Sequence, residues 1–320
     1  MSPVPNHAPA KWAIVVFASR ESLDMVLGTV KAAQIAAQGV AAIDILVNGN
    51  LLLGIALADQ LDTRIHAVEA VRVRVWSVAV GDKANAWNQY IQQIWSGEDI
   101  AFFVDGYVRV NPNAVSLLGD AVAAQDDVLG GTGVPSVERT SAAMRSDMAA
   151  KGGFHGNFCC IKGKVIEQLR KRNIALPFGL YRVDALMGAL LMLGLDPKGN
   201  TWKASRIFVH PEELWQTDPK HWWRLDDLRT QIKRIFRQSR GDLENLALRD
   251  HLRIRKLQPE LLPSTAIDLI IDWVQRCPQE ADAVIRWNPL ARRVLAEIRR
   301  SPSNTKENLS PELMGSIGLP

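Results

Sequence analysis

Two aspartates stand where a carboxylate can do chemistry. Asp105 directly follows the apolar run Ile100 to Val104, and Asp184 sits at the head of the apolar stretch Val183 to Leu195. A carboxylate so placed can hold a hard cation or take a hydroxyl proton as a general base. Asp184 at a helix N-terminus would be well held by backbone amides. Each acid also has a plain structural role open to it, as a turn acid after a buried strand or an ordinary first-turn helix acid. Other chemistries lack their signatures. No GxGxxG follows the first apolar run, and Gly130-Gly131-Thr132-Gly133 lacks the Lys-Ser/Thr ending of a phosphate loop. There is no HExxH and no GxSxG, which leaves zinc proteases and α/β-hydrolases without support. The three cysteines, Cys159, Cys160 and Cys277, make no metal-binding spacing and read as buried small residues.

The elements that must position these acids alternate. Trp12 to Phe17, Ile43 to Val47, Val71 to Val80 and Ile100 to Val104 read as strands. Glu21 to Gln38 and Lys83 to Trp95 read as helices between them. Such alternation implies right-handed βαβ units around a mainly parallel sheet, an α/β fold. Ligands of such sheets sit beyond the carboxyl ends of the strands. The residues there are Ser19 to Glu21, Asn48 to Asn50, Gly81 to Lys83 and Asp105 to Tyr107. Gly130 to Gly163, rich in Gly and Ser, reads as loops over a site. Val183 to Leu195 reads as a buried helix, too short and too glycine-broken to span a bilayer, and Arg206 to Val209 as a late strand. Helices are expected at 264–276 and 278–300. The chain thus divides into a tail at 1–10, a catalytic domain at 11–218, a basic helical region at 219–300 and a loose tail at 301–320.

With 320 residues, 47% of them hydrophobic and 22% charged, the chain can bury a large core and is not a disordered protein. The N-terminus has no basic and apolar secretory signal, so a cytoplasmic protein is expected, soluble or peripherally membrane-associated. The net charge of +4 is uneven, since Lys220 to Lys256 alone carries an excess of six positive charges. Beside Trp222 and Trp223, that excess suits an anionic membrane surface; a solvated helix face is the plain alternative.

The order of the strand-end signals resembles the GT-A glycosyltransferases of family 2. Phe17-Ala18-Ser19-Arg20-Glu21 stands at the family's first strand end, and Val47-Asn48-Gly49-Asn50 at its Asp-x-Gly-Ser-like turn. Lys83-Ala84-Asn85-Ala86-Trp87-Asn88 is similar to its small-polar-Asn helix, and Val104-Asp105-Gly106-Tyr107 lies at its DxD motif. Pro112, seven positions after Asp105, matches the family's spacing and makes Asp105 the first acid, with Tyr107 replacing the second. Gly152 to Phe158 resembles the family's acceptor segment, and Leu176 to Asp184 its Glu-Asp motif, with Val183 in place of the Glu.

The resemblance implies a GT-A fold with a helical C-terminal extension and an inverting transfer of sugar from a nucleoside diphosphate sugar to an acceptor hydroxyl. It assigns the donor to Ala18, Arg20, Glu21, Asn48, Lys83, Asn88, Asp105, Gly106 and Tyr107. It assigns the acceptor, a glycan or a lipid-linked molecule, to Gly153, His155 and Asn157, and the base to Asp184. A divalent metal, Mg²⁺ or Mn²⁺, would fall to Asp105 and His210, with weakened dependence because a phenol is a poor hard-cation ligand. Three alternatives stand beside this reading. A degenerate sugar-nucleotide-binding module fits Asn48, Tyr107 and Val183. A nucleotidyltransferase would want a Gly-rich loop, and Phe17 to Ser22 has no glycine. Nucleic-acid binding rests only on the basic stretch Arg229 to Arg240.

Overall fold

The first strand shows why the sheet must carry helices on both sides. In the computed structural model, β1 (Trp12–Ala18) is buried at every position. Its Ala13, Val15 and Phe17 enter one hydrophobic cluster, and Ile14, Val16 and Ala18 enter another. Successive side chains of a strand point to opposite faces, so an uninterrupted apolar run needs cover above and below. The described residues are 12–37, 41–66, 71–136, 141–217, 225–300 and 309–318. The expected tail at 1–10 and Trp222 and Trp223 lie outside them.

β1 is flanked in parallel by β2 (Ala41–Asn48) and β4 (Ile100–Asp105), and β2 by β3 (Val71–Val78). Register aligns their carboxyl ends: Phe17 pairs with Leu46 on one side and with Asp105 on the other. The strand-end residues therefore gather along one edge. α1 (Leu23–Ala36) and α2 (Leu51–Ala58) cover one face, with Ser22 and Asn50 accepting from the backbone at their N-termini. α3 (Lys83–Gln89), capped by Asp82, covers the other and continues into a single π-turn at Tyr90–Ile94.

The chain then adds β5 (Val108–Val110), α4 (Ala114–Ala123), β6 (Gly130–Pro135), α5 (Ser141–Lys151), β7 (Phe158–Lys162), α6 (Gly163–Lys171), α7 (Val183–Met192) and β8 (Ile207–Thr217). α8 (Leu225–Arg249), α9 (Ala266–Arg276), α10 (Pro278–Trp287), α11 (Pro289–Arg300) and β9 (Glu312–Ile317) complete it. Among the described residues the sheet has nine strands in the order β5-β8-β6-β7-β4-β1-β2-β3-β9. The parallel expectation holds for β3-β2-β1-β4 and for β6 with β8. The pairings β4–β7, β6–β7, β5–β8 and β3–β9 are antiparallel. Leu243, Leu248, Leu269 and Trp273 of the C-terminal helices share one hydrophobic cluster with Leu186 and Leu190 of α7.

Three expectations are corrected. The described part of 130–163 holds β6, α5 and β7, and only 152–157 between α5 and β7 is the expected loop, which brings Gly156 and Asn157 to the cleft. The glycines of β6 mark a crowded central strand. An added Cβ at Gly130 would stand 2.6 Å from the Cys160 carbonyl oxygen, and one at Gly131 2.6 Å from Val122. The expected helix at 278–300 is two helices. Pro289 has no N–H to continue α10, and Asn288 Oδ1 accepts from the Leu290 and Ala291 N–H groups to start α11. The tail at 301–320 contains β9, which pairs antiparallel with β3 and covers the sheet's edge.

Crowding at β6 sets a stability test. Gly130→Val should cost about 1–3 kcal/mol, the range for forcing extra methyl groups into a packed core. Urea denaturation should show a lowered midpoint; an unchanged midpoint would contradict the packing described.

Candidate active site

α3 reaches the carboxyl edge of the sheet in a defined register. The Trp87 ring stacks on Phe103 with centroids 3.8 Å apart and planes 15° apart. Lys83 lies four residues before Trp87, about 6 Å along a helix. Asp105 lies two residues beyond Phe103 on the same face of β4, about 6.6 Å along a strand. These advances nearly match, so the Lys83 ammonium meets the Asp105 carboxylate, donating to Oδ1. Burial alone would lower the Lys83 pKa, but the charge and hydrogen bond of Asp105, with the charge of Asp184, raise it above its ordinary value. The Lys83 side chain remains 36% exposed, against 13% for Asp105.

The other oxygen of Asp105 is held as well. The Tyr107 hydroxyl lies 3.1 Å from Asp105 Oδ2 and 3.1 Å from Asn157 Oδ1. Burial, then the neighbouring Asp105 charge, pushes the Tyr107 pKa far up, so the phenol keeps its proton. Gly106 donates its N–H to the Phe17 carbonyl over 2.8 Å and accepts from the Thr29 hydroxyl over 2.8 Å. A Cβ there would come within 2.9 Å of the Phe17 oxygen, which makes glycine the residue that fits.

Asp184 stands in the first turn of α7, its Oδ1 accepting from the Ala185 N–H over 3.0 Å. It shares with Lys83, Asp105, Tyr107 and Asn157 a cleft of about 580 Å³ that also receives Arg20, Arg182, Arg237 and Arg240. Sequence reasoning missed the last three. Arg237 and Arg240 belong to the basic segment, three residues apart on one helix face, and that spacing was the available signal. Two acids act on backbone: Asp82, within the strand-end group Gly81 to Lys83 that the sequence singled out, and Glu244, which it did not. Asp82 Oδ2 accepts from the Gly179 N–H over 2.9 Å, and burial raises its carboxyl pKa against those hydrogen bonds. Glu244 Oε2 accepts from the N–H groups of Tyr181 and Arg182, while its Oε1 takes Arg240 Nε at 3.1 Å.

Several expected residues support the cleft from behind and do not line it. Ala18 is buried beneath the Gly106 turn. Asn48 is buried and spends its amide on the Ala18 carbonyl at 2.9 Å. Glu21 Oε2 accepts from the N–H groups of Ser19 and Arg20, shaping that loop. Asn88 clamps the Leu176 backbone through both ends of its amide. Gly153 donates to the Met148 carbonyl over 2.8 Å. His155 Nδ1 accepts from the Asn157 N–H, and its ring centroid lies 5.1 Å from that of Trp215. His210 is buried on β8 with Nδ1 accepting from the Glu212 N–H.

The residues present do not fit a protein-built metal site. Both Asp105 oxygens are engaged by Lys83 and Tyr107, and His210 is turned to its own backbone. Among the described residues no group of three His, Cys, Asp or Glu side chains could hold a metal ion, whereas hard divalent cations want several oxygen ligands. Among the described residues, too, no helix is long and apolar enough to cross a membrane.

No protein-family model matches the chain, and no curated protein sequence does. Among solved structures, the chain is similar to a mannosyltransferase from Pyrobaculum calidifontis, determined with GDP-Man and Mn²⁺. The two share 16% identity with a TM-score of 0.53 over 95% of this chain and 79% of that one. The fold is that of the GT-A glycosyltransferases. A glucosyl-3-phosphoglycerate synthase from Mycobacterium tuberculosis overlaps 75% of this chain and 78% of its own, at 14% identity and a TM-score of 0.40.

Burial lowers the pKa of His155 even though Asp184 and Asp105 draw it upward. Released by unfolding, the imidazole takes up a proton near its ordinary value of about 6.5. The unfolded state then binds more protons, so stability falls as pH drops through about 6.5. The melting temperature should decline over that window, and His155→Gln should flatten the decline; an equally steep slope in the variant would show that His155 contributes nothing to it.

Proposed function

We propose that the protein transfers a sugar from a nucleoside diphosphate sugar to an acceptor hydroxyl, with inversion at the anomeric carbon. One observation carries the reading: Asp105, Lys83 and Asp184, from three separate elements, meet in a single cleft at the carboxyl edge of the sheet with four arginines around them. The similar mannosyltransferase was solved with a nucleoside diphosphate sugar, which supports this donor class.

In the proposed reaction the acceptor oxygen attacks the anomeric carbon from the side opposite the diphosphate. The bond from that carbon to the diphosphate oxygen breaks as the new one forms, and the acceptor proton passes to Asp184. A single displacement with one base inverts the centre. Charge developing on the leaving diphosphate is met by Lys83 and by the cleft arginines, whose planar forks suit phosphate oxygens. Asp105 holds the Lys83 ammonium in place, and Tyr107 with Asn157 fixes the carboxylate. The donor therefore lies on the Lys83 side and the acceptor on the Asn157 side, toward Asp184. A second reading, a sugar-nucleotide binder without turnover, draws on the engagement of both Asp105 oxygens, and measured turnover separates the two.

Asp184→Asn should keep nucleotide-sugar binding and lower transfer at saturating substrates by at least about a hundredfold, the low end for a lost general base. Equal transfer rates in the two proteins would place the base elsewhere.

Because Tyr107 stands where the resemblance expects a second acid, and Lys83 and the cleft arginines can meet the diphosphate charge, activity should partly survive a chelator. Tyr107→Asp should raise Mn²⁺ affinity, measured by calorimetry, by adding a second anionic ligand beside Asp105. Complete loss of wild-type activity on mild chelation, with tight metal binding to the free protein, would overturn this charge assignment.

A further inference from the structure

Asp82 spends its two oxygens on different elements. Oδ1 accepts from the Asn85 N–H over 2.7 Å and starts α3, whose first residue is Lys83. Oδ2 accepts over 2.9 Å from the N–H of Gly179, in the loop that leads to Asp184. A helix cap needs one acceptor, and Ser22 at α1 supplies one hydroxyl for that purpose. The second oxygen of Asp82 therefore serves a contact between elements. Gly179 has a φ of +77°, a left-handed conformation that glycine adopts without strain. Its carbonyl takes the Arg240 guanidinium at 2.8 Å, so both of its polar groups are held from outside the loop.

α3 grips the same loop at a second point. Asn88 binds the Leu176 backbone through both ends of its amide, at 2.9 and 2.8 Å. From Asp82 to Asn88 is about 9 Å along a helix, and from Leu176 to Gly179 at most about 11 Å of extended chain. These lengths nearly match and the directions oppose, so the loop runs back along α3 and meets Asp82 at the cleft. Beyond Gly179, Glu244 takes the N–H groups of Tyr181 and Arg182, and the chain enters α7 at Asp184. Glu244 thus ties the loop to the C-terminal helices, while Asp82 ties it to the helix that carries Lys83.

We infer that Asp82 is a positioning residue that sets the distance between Lys83, on the donor side, and Asp184, the candidate base. The role rests on reading the cleft as a sugar-transfer site. Base and leaving-group cation must face opposite sides of one carbon, and a misplacement of about 1 Å can cost a hundredfold in rate.

The test uses the full chain with Asp82→Asn and, independently, Asp82→Ser. Each keeps a favoured cap for α3 and leaves one acceptor oxygen where two are needed. Turnover is read as nucleoside diphosphate released from a panel of nucleotide sugars that includes GDP-mannose and UDP-glucose, with water as acceptor. In both variants kcat should fall at least about tenfold, with nucleoside diphosphate binding by calorimetry not weakened. In an Asp184→Asn background the same substitutions should change the rate by less than about twofold, because a residue acting through the base has nothing left to position. By hydrogen exchange, the Gly179 amide should exchange at least about tenfold faster in both variants, with α3 unchanged. An unchanged kcat, a further full loss of rate in the Asp184→Asn background, or unchanged exchange at Gly179 would overturn the inference. No turnover by the wild type across the panel, with faster exchange at Gly179 in the variants, would instead overturn the sugar-transfer reading and the positioning role with it, leaving Asp82 as a bridge between α3 and the loop.

Discussion

The contact between Trp87 and Phe103 sets the geometry on which the cleft depends. Phe17 stacks against both rings, with centroids at 5.7 and 6.1 Å, and Tyr90 meets Phe103 edge-on at 5.6 Å. Aromatic pairs of this kind add about 0.5–1.5 kcal/mol each beyond burial. Together they key α3 to β1 and β4 in one register. A slip of one residue along α3 would rotate Lys83 by about 100° and carry it off Asp105. The apolar side of the sheet thus places the polar pair at its end.

The opposite wall of the cleft is made by the C-terminal helices. Glu244 has a fully buried side chain, and burial raises its carboxyl pKa against Arg240 and two backbone N–H groups. A carboxylate taken from water is tolerable only with its lone pairs filled, and here the loop at Tyr181 and Arg182 fills them. That loop leads straight into α7 and Asp184. The position of the candidate base therefore depends on α8, some sixty residues further along the chain.

β1, β2 and β4 were legible as short apolar runs, β2 broken by Asp44, and β3 through the alternation of Val71, Val73 and Val75 with Arg72 and Arg74. Asp105 was legible through its place after Phe102-Phe103-Val104 and its spacing to Pro112. What escaped was written in contacts between distant segments. Gly130, Gly131 and Gly133 read as loop residues because neighbours that crowd them, Cys160, Phe208 and Leu214, lie far away in sequence. Arg240 and Glu244 looked like part of a solvated charged helix until Gly179 and Tyr181 were placed against them. Asn48 and Asn88 were legible as polar residues near strand ends, but the sequence does not say that backbone carbonyls consume their amides.

β9 gives the sheet an unusual assembly history. Its Ile317 pairs with Val73, 244 residues earlier, so the strand that covers this edge is made long after the edge itself. Until the ribosome has released residues 312–317, β3 offers open backbone N–H and C=O groups to any passing strand. Contacts this far apart in sequence are slow to form, because a long loop must close before they are rewarded. The nascent chain therefore has a window of exposure to misassociation, and holding that edge covered would be a task for chaperones rather than for the sequence nearby.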